Sequence, residues 1–513
     1  MKSETTRRDF LKLAGALPLG FAASRALQKF GIPDQLSNEG QNFLVIVFDA
    51  FSAQHITTHG YQRETTPHLA RLAEQAIVYH NHYASGNFTT SGTASLLTGT
   101  LPWTHRALQN KGTIADPVIP HNIFNPFKDH YRIAYTHNPW AHILLEQLDG
   151  DIEELIPRLS LFVESYDEFV QKIFRNDDDI ASVSWSRNTG INKDGYSYSL
   201  FLSHIYASLR ERKLANLLKE YPRGIPSIGL RVESHYLLDQ AIDWIGNRLT
   251  KIPQPFLGYF HFLPPHGPYF PSIEFIDRFA RDNFQPLKKA NEFFSEGKTY
   301  DELLKFRTQY DEFILYTDDQ FNIFYERLRN SGLLENTWII LTSDHGEMFE
   351  RGILGHSTDA MYQPVLRVPL MIFEPGRTKG ENIHTPTSAI DVLPTLLSLA
   401  GKDIPDWAEG KVLPPFAGPR SDTNRSVYAV RALRTGRNDP ITRSSTVLVK
   451  GGYKLHYYRG YTDLNLPAEI IRLFDVESDP EEMVDLADTH TGIASELLDE
   501  LKRNLDDANK PYL

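Results

Sequence analysis

The segment NFLVIVFDA, residues 42–50, is a continuous apolar run with an aspartate, Asp49, at its carboxyl end. Runs of this kind are typical of parallel strands that are buried on both faces. WIILTSDHGE, from Trp338, repeats the pattern, with Asp344 and His345 after the apolar residues. In open α/β sheets, ligands bind beyond the carboxyl ends of the strands. The two segments therefore predict buried strands that carry polar side chains to one edge of a sheet.

Further segments alternate between strand and helix patterns. The runs at 256–263 (FLGYFHFL) and from Val368 (VPLMIFEPG) predict additional buried strands, whereas residues 66–76 and 310–328 have the apolar spacing of helices. Strands that alternate with helices predict an α/β/α sandwich. After about residue 415, alternating strand segments and a closing helix predict a small α+β domain.

These patterns divide the chain of 513 residues into parts. We expect a large domain over residues 40–415 and the small α+β domain over residues 416–513. Residues 150–250 are rich in aromatic and charged side chains and in helical stretches, so we predict that they form a helical insertion that caps the large domain. The length itself favours one large and one smaller domain, because single cores stop growing beyond a few hundred residues.

The N-terminal 27 residues carry the pattern of an export signal. Arg7 and Arg8 are followed by Phe-Leu-Lys and by the mildly apolar stretch LAGALPLGFAAS. This arrangement is typical of a twin-arginine signal, and the apolar stretch is too short for a membrane anchor. We therefore expect a periplasmic or extracellular protein with no stable membrane span. An amphipathic N-terminal helix is the alternative.

Composition excludes several classes of function. The 53 basic and 65 acidic residues give a net charge of −12. This balance argues against nucleic acid as a partner, because phosphate binding relies on a basic surface. An anionic substrate would need a local positive centre such as a metal ion. The chain has no cysteine, which excludes disulfides, thiolate catalysis and cysteine-based zinc sites.

Asp49, Asp344 and His345 are the candidate metal ligands, since each follows an apolar strand segment. A strand-end aspartate on its own more often caps a helix, but the set of three favours a metal. Two carboxylates and an imidazole suit a divalent ion of the zinc or manganese type better than calcium, which prefers oxygen ligands alone. Three protein ligands leave a coordination position open for a nucleophile.

The segment SGNFTTSGTASLLTG, residues 85–99, has hydroxyl residues and glycines that lead directly into an apolar run. This pattern predicts a nucleophile loop at the start of a helix, where Thr89 or Thr90 could fill the open position. A helix N-terminus stabilises an anion by roughly 0.3 to 2 kcal/mol. Zinc lowers the pKa of bound water from about 15.7 to about 7, on the order of 12 kcal/mol. The metal must therefore supply most of the ionisation.

The chain resembles the sulfatase family within the alkaline phosphatase superfamily. The motifs that carry the resemblance occur in family order between about residues 42 and 490: NFLVIVFDA, GYQRETTPHLARLA, TTSGTASLLTG, HFLPPHGPY, ENTWIILTSDHGE, LGHSTDAMY, RVPLMIFEPG, SAIDVLPTLLSLAG and LFDVESDPEEMVDLAD. The resemblance implies a central mixed, mostly parallel sheet between helices, followed by a small C-terminal domain. It also implies that the metal ligands are Asp49, Asp344 and His345.

By position in the same motifs, Thr89 corresponds to the family's nucleophile, ten residues before Gly99. The resemblance thus favours Thr89 over Thr90. It also implies that His266 and His356 contact the transferred anionic group or the leaving oxygen.

The motifs depart from the family pattern at several positions. Formylglycine sulfatases begin the nucleophile motif with Cys or Ser, followed by Pro and by an Arg four residues on, whereas this chain has Thr89, Ser91 and Thr93. No cysteine can become formylglycine, and threonine cannot give the same aldehyde. Ala50 replaces a second metal-binding aspartate, and His137 lies roughly where a motif lysine is expected.

A threonine nucleophile beside one divalent ion is more similar to the lipoteichoic acid synthase and phosphoethanolamine transferase branch, whose members have membrane-spanning segments. We therefore expect a metal-dependent hydrolase of a sulfate or phosphate ester on a small molecule, glycan or glycolipid. The ion is Zn, Mn, Mg or Ca. The alternatives are a transferase of phosphoethanolamine-type or glycerophosphate-type groups and a family member that binds anionic glycans without catalysis.

Three other polar patterns give weaker evidence for a functional site. His80 and His82 would share one face of a strand, but a structural role is favoured over metal binding. The histidines of HITTHG, residues 55–60, lie in a segment whose glycine and threonines favour a loop. The run at 177–179 (Asp-Asp-Asp) predicts a solvated turn in the insertion.

Overall fold

The computed structural model describes residues 40–163, 208, 212–228, 235–418 and 424–513. The predicted export signal, the acidic run at 177–179 and most of the predicted helical insertion lie outside these residues. Among the residues that are described, no helix has the length and apolar character needed to cross a bilayer.

The large domain is built on an eight-stranded sheet with the order β11-β2-β10-β7-β1-β6-β4-β5. Within this sheet, β10 pairs antiparallel with β7 and β2, and the other pairings are parallel. The strand bounds, from β1 to β12 in chain order, are Asn42–Phe48, Ile77–Tyr79, His82–Tyr83, Tyr131–Thr136, Glu154–Leu155, Phe256–Phe262, Thr337–Thr342, Phe349–Glu350, Ile353–Leu354, Leu370–Phe373, Glu381–Ile383 and Thr387–Ser388.

Helices cover both faces of the sheet, which explains why the sequence of β1 is apolar throughout. The helices α1 to α9 are Pro67–Leu72, Thr89–Thr98, Pro102–His105, Pro139–Gln147, Leu238–Leu249, Tyr300–Asn330, Gln363–Leu366, Val392–Leu399 and Thr491–Asn509. Leu44, Ile46 and Phe48 pack into one core with α5 and α6, whereas the alternate residues, starting with Phe43, pack into a second core with α2, α4 and α8. The predicted α/β/α sandwich with a mostly parallel sheet is confirmed.

The register of the three central strands brings polar residues to one edge. Val47 of β1 is level with His261 of β6 and with Thr342 of β7. Two residues further along their strands come Asp49 and Asp344. The carboxyl ends of β1 and β7 therefore deliver these two carboxylates side by side.

The C-terminal part is an antiparallel sheet of four strands, β13 to β16, in sequence order. The helix α9 covers it, so that leucines from both elements form one core. The strand bounds are Val427–Arg431, Ser444–Lys450, Tyr453–Arg459 and Glu469–Asp475. This arrangement of sheet and closing helix is the α+β architecture that the sequence predicts after about residue 415.

Several elements differ in extent from the sequence patterns. The helix α6 begins at Tyr300, ten residues before its apolar spacing becomes regular, because Thr299 and Glu302 form a capping box. The helix α1 ends at Leu72 and continues as a 3₁₀ turn over Ala73–Gln75. Neither β2 nor β4 follows from the patterns described above.

The two sheets are joined by a buried ion pair. Arg425, which precedes β13, donates to both oxygens of Asp391 at 2.7 and 2.8 Å. Asp391 directly precedes α8, and its carboxylate also accepts from the backbone N–H of Ser388 and of Lys411, each at 2.8 Å. The pair therefore ties the approach to the small sheet to a helix that packs on the large one.

We predict that Arg425→Ala lowers the free energy of unfolding by about 3–5 kcal/mol, because it leaves the Asp391 carboxylate buried without its cation. The control is Arg434→Ala, which breaks the exposed pair with Asp463 and should cost no more than about 1 kcal/mol. Urea denaturation followed by circular dichroism measures both. Equal losses for the two variants would contradict the prediction.

Candidate active site

The segment that supplies the predicted nucleophile forms α2, whose first residue is Thr89. All ten residues of this helix are buried. It ends at Gly99, which adopts a left-handed conformation with φ of 63°. Gly92 lies against the strand-end backbone, where a Cβ atom would be only 2.0 Å from the carbonyl oxygen of Asp344. The small residues of this segment are therefore needed for the close approach of the helix to the end of β7.

Asp49, Asp344 and His345 meet at the carboxyl edge of the sheet. The three side chains are fully buried, and their ligand atoms lie within 4.8 Å of one another. His345 Nε2 is 3.4 Å from Asp49 Oδ1 and 3.6 Å from Asp344 Oδ2. Neither of these two oxygens has a hydrogen-bond partner among the described residues. Orphaned carboxylate oxygens facing an imidazole nitrogen fit a divalent cation.

Neighbouring backbone groups orient these side chains. His345 Nδ1 is 2.9 Å from the carbonyl oxygen of Gly346, so Nδ1–H donates there and Nε2 faces the carboxylates. The other oxygen of Asp344, Oδ1, accepts from the backbone N–H of Ala50 at 3.3 Å and of His345 at 3.0 Å. The ligand atoms that remain free are therefore the ones that face each other.

The pKa values show that the cluster stabilises positive charge. Burial raises the pKa of Asp344, and the neighbouring Asp49 carboxylate raises it further. Burial also opposes ionisation of Asp49, but nearby imidazoles, His266 first, hold its pKa well below the ordinary value. Burial would lower the pKa of His345, yet Asp344 and Asp49 raise it to about 9. Two buried carboxylates at this point thus attract a cation.

Thr89 lies beside this cluster. Its Oγ1 is 3.4 Å from His345 Nε2 and accepts from Asn138 Nδ2 at 3.2 Å. The same Asn138 amide donates to Asp49 Oδ2 at 2.5 Å. The hydroxyl of Thr90 is buried and has no hydrogen-bond partner among the described residues. The contacts therefore connect Thr89, and not Thr90, to the cluster.

His356 and His266 form a row that leads outward from His345. The ring centroids of His345 and His356 are 4.3 Å apart, and those of His356 and His266 are 5.0 Å apart. His356 Nδ1 is 3.2 Å from each oxygen of the buried Glu347 carboxylate. Burial raises the pKa of Glu347, but nearby imidazoles, His356 first, keep it below the ordinary value. Imidazole groups thus border the cluster on the side of His345.

Three polar residues of the site were not predicted from the sequence: His261, Asn138 and Glu347. His261 is the polar residue inside the apolar run of β6, and Asn138 follows the end of β4. A polar residue in or just after a buried strand was the available signal, and it is the same signal that identified Asp49. Glu347 lies in the DHGE segment, where its role depends on the distant His356.

The positions that depart from the family pattern have defined environments. His137 packs against Tyr236 with ring centroids 4.8 Å apart, and burial lowers its pKa to about 3. It therefore supplies no cation where a lysine is expected. Ala50 has a φ of 59°, and its carbonyl oxygen accepts from the Tyr310 hydroxyl at 2.5 Å.

The other histidine pairs lie apart from this cluster. A turn separates His80 from His82, so the two do not share a strand face as predicted. His82 is buried against Thr387 at 2.9 Å, and the His80 ring stacks on His384. His55 contacts Asp311 at 2.6 Å within the core beside α6. The segment 55–60 consists of short 3₁₀ turns, in agreement with the predicted loop.

Comparison with known families identifies the family to which the chain belongs. A profile described as sulfatase matches residues 41–156 and 162–402, well over half of the chain. The chain belongs to the sulfatase family. A second profile, described as the C-terminal part of N-sulphoglucosamine sulphohydrolase, matches residues 356–510. The family resemblance inferred from the motifs is confirmed.

Curated members of the sulfatase family are similar to this chain at low identity. Choline-sulfatase of Rhizobium meliloti (strain 1021) is 24% identical over 475 residues, which cover 88% of this chain and 83% of the relative. The uncharacterized sulfatase YidJ of Escherichia coli (strain K12) is 26% identical over 297 residues, which cover 54% of this chain and 56% of the relative. The match thus spans about half the length of the second relative.

Solved structures of other proteins share the fold. The phosphonate monoester hydrolase of Agrobacterium radiobacter superposes with a TM-score of 0.64 at 18% identity and covers 92% of this chain and 96% of its own. A second structure, in complex with its substrate D-glucosamine-2-N,6-O-disulfate, has a TM-score of 0.62 at 16% identity and covers 92% and 98%. The sulfatase-family chain therefore has the fold of both proteins.

We predict that Gly92→Ala reduces divalent-metal affinity at least about tenfold and lowers thermal stability, because the added methyl group would displace Asp344. Calorimetric titration with Zn²⁺ or Mn²⁺ and thermal unfolding measure the two effects. The control is Gly492→Ala in α9, where a Cβ meets no atom within 4 Å. This control should be neutral or slightly stabilising. Unchanged metal affinity in Gly92→Ala would refute the proposed packing.

Proposed function

We propose that this chain is an exported, metal-dependent hydrolase that cleaves a sulfate or phosphate ester with Thr89 as its nucleophile. The observation that carries the proposal is the position of Thr89 Oγ1, 3.4 Å from His345 Nε2 and 3.2 Å from Asn138 Nδ2, at the N-terminus of a buried helix. No other described hydroxyl is linked in this way to both the helix start and the carboxylate cluster.

Asp49, Asp344 and His345 would hold the ion, with the Thr89 oxygen beside them. When bound, a divalent ion supplies Lewis-acid chemistry that favours an ionised hydroxyl and neutralises charge on the group under attack. The residues themselves provide a dry, negatively charged cradle, and Asn138 fixes the distance between Asp49 and Thr89. The nucleophile and the carboxylates are therefore held in one orientation before substrate arrives.

The reaction has two stages on Thr89. The hydroxyl proton of Thr89 would be released when the ion binds. The deprotonated Oγ1 attacks the sulfur or phosphorus atom, and the bond from that atom to the bridging ester oxygen breaks. Glu347 holds Nδ1–H of His356, so that the imidazolium form of His356 has its second N–H on the opposite side of the ring. The imidazolium of His356 or of His266 gives a proton to the leaving oxygen. Water then attacks the sulfur or phosphorus atom of the Thr89 ester, which frees the Thr89 oxygen and returns a proton to the imidazole.

The site and the relatives favour one substrate class. A buried divalent ion with the imidazoles of His356 and His266 beside it would suit a compact anionic group, which the net charge of −12 would otherwise repel. The relatives and structural neighbours include a choline-sulfatase, a phosphonate monoester hydrolase and a protein with a sulfated glucosamine substrate. These names favour a sulfate ester on a small molecule or a glycan, with a phosphate ester as the second choice. The twin-arginine pattern favours a substrate outside the cytoplasm.

We predict that Thr89→Ala lowers kcat by at least about a thousandfold, because no oxygen remains to form the covalent ester. The matched control is the neighbouring Thr90→Ala, which should keep kcat within about threefold if its hydroxyl takes no part. The assay compares an aryl sulfate, a phosphate monoester and a phosphate diester with the metal-loaded protein. Wild-type turnover of every ester by Thr89→Ala would refute the mechanism.

Mass spectrometry of the peptide that carries Thr89 provides a second test. Rapidly quenched wild-type protein should show a sulfuryl or phosphoryl adduct on this residue. Product analysis with an added alcohol then separates hydrolysis from group transfer, since a transferase would give the new ester. A protein that binds no stoichiometric divalent ion and turns over none of these esters would instead be a binding member of the family without catalysis.

A further inference from the structure

His261 is the third polar residue that the central strands bring to the carboxyl edge of the sheet, beside Asp49 and Asp344. It lies on β6, next to β1, and its side chain is fully buried. His261 Nε2 is 3.3 Å from Asp49 Oδ2 and 3.8 Å from Asp344 Oδ2. This nitrogen has no hydrogen-bond partner among the described residues. A buried, unpartnered nitrogen thus points into the same pair of carboxylates as His345 does.

The distances favour a shared ion over direct hydrogen bonds. Hydrogen bonds between nitrogen and oxygen are usually about 2.7–3.2 Å long. The contacts of His261 and His345 with the two carboxylates lie between 3.3 and 3.8 Å. Neighbouring donors that are each about 2.0–2.1 Å from one ion are about 2.9–3.4 Å from each other. The contacts with Asp49, at 3.3 and 3.4 Å to its two different oxygens, are near this spacing, and the contacts with Asp344, at 3.8 and 3.6 Å, are longer. All four are long for hydrogen bonds.

The alternative role for His261 is to donate a hydrogen bond that positions Asp49. Asp49 Oδ2 already accepts from Asn138 Nδ2 at 2.5 Å, so this oxygen has a short hydrogen bond without His261. The other ring nitrogen of His261 is 3.5 Å from Thr93 Oγ1, on α2. That contact allows Nδ1 to carry the proton, which leaves the Nε2 lone pair directed at the carboxylates.

We propose that His261 is a metal ligand, which makes the site a set of two carboxylates and two imidazoles. This inference rests on the proposed function in one respect, because the ion that His261 would bind is the ion of the proposed ester-cleaving site. Two imidazoles favour zinc or iron and disfavour calcium and magnesium, which prefer oxygen ligands. The ion of this chain is therefore a transition metal.

The test is X-ray absorption spectroscopy of the zinc-loaded full-length protein, in which outer-shell scattering counts the imidazoles on the ion. We expect two imidazoles in the wild type and one in His261→Gln, with zinc affinity at least about a hundredfold weaker in the variant. The matched control is His137→Gln, a buried histidine whose ring packs on Tyr236, and it should keep both imidazoles. Competition with Ca²⁺ should show strong zinc preference in the wild type and a smaller preference in His261→Gln.

The wild-type spectrum alone decides the inference, so a variant that fails to fold does not prevent the test. One imidazole on the wild-type ion, or two retained in His261→Gln, would overturn it and leave the proposed function standing. Full turnover by Thr89→Ala would overturn the proposed function and leave the ligand count unaffected. A wild-type protein that binds no stoichiometric ion would contradict both.

Discussion

The structure depends on the burial of two carboxylates beside each other. Asp49 and Asp344 extend from adjacent parallel strands into a region from which water is excluded, where an isolated carboxylate is costly. Two negative charges at this distance require a counter-charge, and the surrounding polar groups are arranged around that requirement. Imidazoles face the carboxylates, and the backbone N–H of Ala50 donates to one of them. The electrostatic demand at this edge therefore explains the polar residues that the apolar core otherwise would not tolerate.

The sequence predicted the position of a residue in the fold where a local pattern of apolar and polar residues is enough to determine that position. The apolar run of β1 fills both cores, so its burial on two faces was predictable from composition alone, and the polar residue at its end identified Asp49. The repeat of the pattern at β7 identified Asp344 and His345 in the same way. The helix that begins at Thr89 was predictable because the switch from hydroxyl residues to leucines marks a helix start. The preference for Thr89 over Thr90 as the nucleophile required the family motif and stays a prediction.

Other parts of the site depend on topology that local patterns do not contain. His261 lies within the apolar strand β6, and only the pairing of β6 with β1 brings it to the carboxylates. Asn138 follows β4, a strand whose sequence, YRIAYT, mixes polar and apolar residues and so lacks a clear strand period. The antiparallel direction of β10 was likewise not visible, because an apolar run has the same composition in either direction. These features emerge only when strand order is known.

The contact between Gly92 and the backbone of Asp344 has a consequence for how this protein can change during evolution. With no space for a methyl group between them, the helix that begins at Thr89 and the chain at Asp344 cannot accept a larger side chain at this contact. A substitution here would displace Thr89 and Asp344 together. Sequence change is therefore better tolerated at the more exposed residues that border the cluster, such as His266, than at this interior contact.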